Sequence, residues 1–349
     1  MKARTPFELG FQMPPEWYPH AATWLTWPKD PVTWPDRVQA VQSIYLQMIA
    51  LLSENETVHL LVDDEEAEQS VRRQLLPAAR RDRMVFHRVP TVDAWIRDYG
   101  PNFLLGPNET LAYNKWIFNA WGNKYDELKK DNDVVDRLET LARTRRFDPG
   151  IVLEGGSIEV DGAGVCMTSE QCLLNANRNP DLCRDEIEKR LKDYLGVERL
   201  LWLGEGIAGD DTDGHIDDIA RFASPGVILC AVEEDPADPN YKPLRDNYQR
   251  LSKATTPSGV PYQIMSLPMP CVLSEKEERL PASYANFYIA NGLVLVPTFS
   301  HLNDAKALEI LRRVFPGRKV VGLDCEPLVW GMGALHCVTQ QQPATRVQS

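Results

Sequence analysis

Five short polar stretches punctuate this 349-residue chain, and their spacing is the strongest constraint on its fold. They centre on Asp98 in WIRDYGP, Glu154 in LEGGS, His215 and Asp217 in DDTDGHIDD, Asn286 in SYANFY and Cys337 in LHCVTQQQ. Counted through Asp217, the separations are 56, 63, 69 and 51 residues. A unit of that size buries too little surface to stand alone, so such units must stack, as in a propeller or similar array. Side-chain identity between the units is nearly nil. An ordinary α/β sheet with functional loops after its strands therefore stays open as the alternative.

The runs between these stretches repeat an order of helix, strand, polar loop. Residues 36–54 carry apolar side chains at three- and four-residue spacing after Pro35, which predicts an amphipathic helix, and TVHLLVDD follows as a buried strand. CRDEIEKRLKDYLG and VERLLWLG form a second helix–strand pair. NDAKALEILRRVFPG and RKVVGLDC form a third, with Asn303 expected as helix cap and Gly317 as stop. One domain over residues 1–349 is expected.

Composition excludes several classes. The net charge of −12 disfavours nucleic acid as a partner and is compatible with a cationic substrate. No apolar run is long enough for a membrane span, and MKARTPFELGFQMPPEW has no apolar leader core. Seven cysteines without CxxC pairing fit a reduced, cytoplasmic protein. No nucleotide-binding loop occurs: GxxxxGK[ST] is absent, and GAGVCM lacks the third glycine of GxGxxG.

DDTDGHIDD packs five aspartates around one histidine. As a calcium loop aligned on Gly214 it fails, because its first position is Gly209 and its twelfth is Ala220. No HExxH is present, so no metal is expected, although a carboxylate–histidine metal hydrolase stays as an alternative. Two aspartates fixed across a pocket can each accept paired N–H bonds from a planar guanidinium, and Asp98 and Asp217 are candidates. For Asp98 the plain alternative is a salt bridge with Arg97. Solvation or capping suffices for Asp210, Asp211, Asp213 and Asp218. His215, two residues from Asp217, shares its face on extended backbone and is expected to stay protonated beside the carboxylates, as a general acid and then base. Cys337 follows the glycine-containing loop GMGA and reads either as a nucleophile or as a small buried hydrophobe. Glu154 reads either as the acid of a tight turn or as a partner that orients His215.

Taken together, MPPEWYPHAATWLTWP, DAWIRDYGPNF, FNAWGNKY, LEGGSIEVDG, TSEQCLLNANRNP, DDTDGHIDD, SYANFYIANGLVLVPTF and HCVTQQQP resemble the agmatine deiminase family, which includes the bacterial-type peptidylarginine deiminases. These belong to the guanidine-modifying pentein superfamily. The resemblance runs in order from about Met13 to Pro343. It implies an α/β fold, a five-bladed αβ propeller with pseudo-fivefold symmetry, and hydrolysis of agmatine to N-carbamoylputrescine and ammonia without a cofactor. It casts Cys337 as nucleophile, His215 as acid/base, Glu154 as its partner, and Asp98 and Asp217 as the guanidinium clamp. Trp95 would form pocket wall and Asn286 would help position the substrate. The implied partner is a small cationic guanidine, with no nucleic acid or membrane, and a homo-oligomer fits the family. Peptidylarginine, arginine and methylarginine are the alternative substrates, amidino transfer the alternative reaction, and an inactive binding protein the alternative from another class. One departure bears on specificity: the family pattern is close to GGGNIHC, whereas here Met332 and Ala334 stand in GMGALHC.

Overall fold

The computed structural model describes residues 4–274 and 276–345. Its strands form five separate sheets, not one. Four have three strands each: Asn102–Leu105 with Leu111–Asn114 and Arg145–Phe147; Glu159–Val160 with Val165–Ser169 and Arg199–Leu203; Ala220–Ser224 with Val227–Val232 and Gln263–Pro268; and Tyr288–Ala290 with Leu293–Thr298 and Lys319–Asp324. In each, the first two strands are antiparallel and the third is parallel to the second. The fifth sheet joins the chain ends. Gln340–Pro343 pairs antiparallel with His20–Thr26, which pairs parallel with Thr57–Val62, and Met84–Arg88 adds a fourth strand. The single-sheet alternative is thus overturned, and five units match the five polar stretches.

The local reasons are plain in the sequence. The middle strands are buried on both faces, so they read as continuous apolar runs such as Leu293–Thr298 rather than as alternation. A parallel third strand needs a crossover, and helices supply it in four units: Val38–Leu52, Arg184–Leu195, Tyr241–Leu251 and Asp304–Val314. The expected helix over 36–54 thus forms as Val38–Leu52. Arg184–Leu195 ends where Gly196 takes φ +70°, and the chain packs so closely there that an added Cβ would lie 2.5 Å from the Phe11 carbonyl oxygen. Two end signals fare differently from expectation: the first holds in position but not in bonding, and the second fails. Asn303 holds the cap position of Asp304–Val314, but its side chain donates to the Met269 carbonyl instead. That helix stops at Phe315, two residues before Gly317. The remaining unit has only short 3₁₀ turns between residues 126 and 141 in place of a long helix. Among the described residues no helix is long and apolar enough to cross a membrane.

Each polar stretch precedes the first strand of a unit. Asp98, Glu154, Asp217, Asn286 and Cys337 each stand within five residues of one. The same topological position in every sheet therefore presents one side chain to a common centre.

On the sheet that joins the ends, Trp24 and His59 are cross-strand partners with rings stacked 4.2 Å apart. His59 Nδ1 lies 2.7 Å from His87 Nε2. Burial, then the neighbouring His87, pulls the His59 pKa down to about 4. A histidine held neutral in the fold takes fewer protons than the unfolded chain does, so it stabilises above its unfolded pKa and that contribution is lost as pH falls toward 4. His59→Gln is expected to flatten the loss of unfolding free energy between about pH 6.5 and 4 by about 2 kcal/mol. Urea unfolding of both proteins across that window checks this; equal slopes refute it.

Candidate active site

Cys337, Asp98 and Trp95 lie on the wall of a cavity of about 920 Å³. Trp95 is pinned by its indole N–H donating to Asp93 Oδ2 at 2.9 Å. Asp98 accepts from the Trp121 indole on Oδ2 and from the Gly156 backbone N–H on Oδ1, each at 2.9 Å. Arg97 does not pair with it; that guanidinium turns away to Gln341, the His336 carbonyl and Glu16. Trp121 reaches Asp98 from a strained run, since Ala120, Trp121 and Asn123 all have positive φ around Gly122. Left-handed backbone costs a non-glycine residue about 1–2 kcal/mol. Strain of this kind collects where geometry matters to function. The run belongs to the unit that lacks a crossover helix, and Tyr125, Asp126 and Leu128 from the same segment continue the wall.

Glu154, His215, Asp217 and Asn286 stand behind this wall, each at most 1% exposed. Gly156 lets them meet Asp98. A Cβ there would lie 2.5 Å from His215 Nδ1, 3.0 Å from Asp98 Oδ1 and 3.2 Å from Asp217 Oδ2. His215 Nδ1 is 3.8 Å from Asp98 Oδ1, which is too long for a hydrogen bond, and its Nε2 has no partner. Glu154 comes within 4.8 Å of His215 but bonds Arg178 instead, accepting from Nε at 2.7 Å. Asp217 Oδ2 bonds His336 Nδ1 at 2.7 Å and lies 3.7 Å from Cys337 Sγ, while its Oδ1 is buried and unpaired. That free oxygen is the acceptor a guanidinium would need.

Asn286 is not on the cavity wall. It cradles the cysteine from behind: its amide N–H groups donate to Cys337 Sγ at 3.1 Å and to Asp218 Oδ1 at 3.0 Å, and its oxygen accepts from the His336 backbone at 2.9 Å. The acidic loop is equally structural. Asp210 accepts from the backbone of Thr212 and Gly214, Asp211 from the Tyr125 hydroxyl, and Asp213 from Lys124 and Arg178. Solvation is therefore the wrong account of these aspartates; they tie the loop that carries His215.

The electrostatics correct one expectation. Burial, reinforced by Arg178, outweighs the pull of Asp217 and lowers the His215 pKa to about 3, so the imidazole rests neutral rather than protonated. Burial, then Asp217 and Glu154, pushes Asp98 well above the usual carboxylate range. Burial, then Asp217, Asp218 and Asp98, likewise raises the Cys337 thiol. Asp217 is the exception. Burial would raise it, but the His336 hydrogen bond and charge hold it down.

Sequence reasoning missed Glu16, Trp121, Gly156, Arg178 and His336 as contributors. All but Gly156 and His336 are charged or aromatic residues inside polar motifs, and His336 adjoins Cys337. Met332, which stands where the family pattern has glycine, has φ +74°, a conformation suited to glycine, and it lines the cavity.

The chain matches the family model described as Porphyromonas-type peptidyl-arginine deiminase over residues 12–343. It is 36% identical to an agmatine deiminase of Medicago truncatula, covering 97% of this chain and 98% of that one. The structure of agmatine deiminase of Enterococcus faecalis superposes with a TM-score of 0.91 at 35% identity, covering 99% of each chain. That of a C. Jejuni agmatine deiminase carrying a cysteine-to-serine substitution, with substrate bound, superposes with a TM-score of 0.86 at 31% identity, covering 96% of this chain and 97% of that one. An amidinotransferase from Microseira wollei shares the fold at 13% identity and a TM-score of 0.51, covering 96% and 98%.

Asn286→Ala is expected to cost about 1–3 kcal/mol of stability, because it strips donors from buried Asp218 and Cys337. Denaturant unfolding measures this, and an unchanged midpoint refutes the cradle.

Proposed function

The chain belongs to the Porphyromonas-type peptidyl-arginine deiminase family, and from that premise we propose that it is a hydrolase of C–N bonds in linear amidines that converts agmatine to N-carbamoylputrescine and ammonia. The observation that carries this reading is the Asp217 carboxylate, with Oδ2 3.7 Å from the Cys337 thiol and Oδ1 buried without a partner, together with Asp98 on the same cavity wall as Cys337. A guanidinium seated between Asp98 and Asp217 puts its carbon beside the sulfur, which makes the attack effectively intramolecular.

The resting site is short of charge, and the substrate supplies it. A cation between the carboxylates offsets the burial, and then the carboxylate repulsion, that raise the Cys337 thiol. His215, held neutral by its burial, has a nitrogen without a partner to take the thiol proton. Sulfur then bonds the guanidinium carbon to give a tetrahedral centre. His215 passes its proton to the departing nitrogen, the C–N bond breaks, and ammonia leaves. Water attacks the amidino-thioether while His215 accepts its proton. The C–S bond breaks, the proton returns to sulfur, and the ureido product leaves. In this reading the histidine begins as base, a reversal of the order expected from sequence. Asn286 donates to the sulfur at 3.1 Å and so steadies the thiolate.

The wall favours an amine tail. Asp126 and Asp211 line it, while its lysines are already engaged, Lys29 by Asp63 and Lys130 by Glu127. A carboxylate-bearing tail, as in arginine, would find both wall lysines engaged, while Asp126 pairs with Lys129 and Asp211 accepts from Tyr125. In this reading a small guanidine is the only partner required, and the site of action is the cytoplasm.

With agmatine and chelator, ammonia and ureido product are expected at equal rates, both lost in Cys337→Ala. Full activity in that variant removes the nucleophile; turnover of arginine but not agmatine replaces the substrate. Gly156→Ala is expected to keep the fold by circular dichroism yet lose about 100-fold or more in kcat, since an angstrom of misplacement has that effect. Near-normal kcat would show that the His215–Asp98 approach is not needed.

A further inference from the structure

Behind the cavity wall, Glu154, Cys172 and His215 each present one ligand atom, all within 4.8 Å of one another and all buried. Two of these side chains carry atoms with no partner at all, Glu154 Oε2 and His215 Nε2, both fully shielded from solvent. Orphaned buried polar atoms are rare because each costs its full desolvation. Two of them, on side chains grouped with a thiol, make an unfilled ligand set.

We propose that Glu154, Cys172 and His215 form a Zn²⁺ site whose occupation inhibits the enzyme. One carboxylate oxygen, one imidazole nitrogen and one thiolate, with a fourth position open, match zinc's preference for a mixed N/O/S tetrahedron. Supporting groups are in place. Arg178 fixes the other Glu154 oxygen at 2.7 Å, and Asp98 Oδ1 faces the other His215 nitrogen at 3.8 Å. The Arg178 charge near the site is already met by Glu154 and by Asp213 at 2.7 Å. On binding, the Cys172 S–H bond breaks, its proton passes to solvent, and a Zn–S bond forms with no change of oxidation state. The ion is an inhibitor here and not a cofactor, because it occupies the nitrogen that the proposed reaction uses to carry protons. Binding stands independently of that reaction; inhibition rests on it. Since all three groups are buried, onset is expected to be slow.

The test separates the two. Zinc is titrated against a chromophoric chelator into Cys337→Ala, which removes the cavity thiol, after the exposed Cys183 and Cys271 are alkylated. One equivalent is expected to bind, and adding Cys172→Ala is expected to weaken it more than the ~10–100-fold that loss of an outer-shell partner costs. Cobalt(II) in the first protein should show a thiolate-to-metal charge-transfer band that the double variant lacks. Equal zinc binding by the two, or no thiolate band, overturns the site. Should the double variant fail to fold, the cobalt spectrum of the first protein decides alone. With unmodified protein, zinc is expected to abolish turnover slowly and chelator to restore it, with Cys172→Ala needing at least ~10-fold more zinc relative to its own zinc-free rate. Zinc bound at the site with undiminished turnover overturns the inhibition and removes His215 from the reaction.

Discussion

A single imidazole bridging two buried carboxylates holds this molecule's centre together. His336 bonds Asp217 through Nδ1 and Glu16 through Nε2, each at 2.7 Å. Both carboxylates are held in their ionised form, Glu16 by Arg221, His336 and Arg97 against its burial. Each ring nitrogen thus meets one carboxylate oxygen, which fixes the imidazole between the two acids. The cluster extends through Arg221 to Glu159 and through Arg97 to Gln341, so residues from near both chain ends and from the middle share one ionic core. Removing one partner from such a core leaves a bare buried charge, which is far costlier than the intact cluster is stabilising.

That core decides how the site in front of it behaves. Asp217 is spoken for by His336 on one oxygen, which fixes its rotamer and leaves the other oxygen without a hydrogen-bond partner. Around it, burial discharges the remaining groups. The Cys337 thiol, the Asp98 carboxyl and the His215 imidazole all rest toward neutrality because charge without water is expensive. In the proposed reaction the arriving cation is therefore part of the machinery, and a neutral look-alike would leave the thiol inert. Selectivity for charge and activation of the proposed nucleophile would then be the same electrostatic event.

Much of this was legible in the sequence, for identifiable reasons. The five polar stretches could be read because each sits at one fixed place, just before a first strand, and the apolar runs between them carry helix and strand periods. Asp98, Asp217, His215 and Cys337 are legible as candidates because they stand in short polar stretches beside aromatic, apolar or glycine residues. Arg178 and Glu16 were not, because a buried arginine and a surface arginine look alike in one sequence, and only the fold supplies the partners. His215 was misjudged for a related reason: nearby carboxylates are written in the sequence, whereas desolvation is not. Asn303 and Gly317 carried the right residue types for helix ends, yet tertiary contacts claimed the one and the chain turned before the other. Met332 shows the reverse case, a residue whose oddity appears only when its positive φ is known.

The pairing of Gln340–Pro343 with His20–Thr26 has a consequence for the life of the chain. The thiol precedes the strand that closes the seam, and the acid that anchors its histidine neighbour lies at residue 16. A ribosome must travel from one to the other before any reactive centre exists. Products that stop before residue 336 carry most of the fold's units but lack Cys337 and the Gln340–Pro343 strand of the seam. In the proposed reaction such fragments would have no nucleophile.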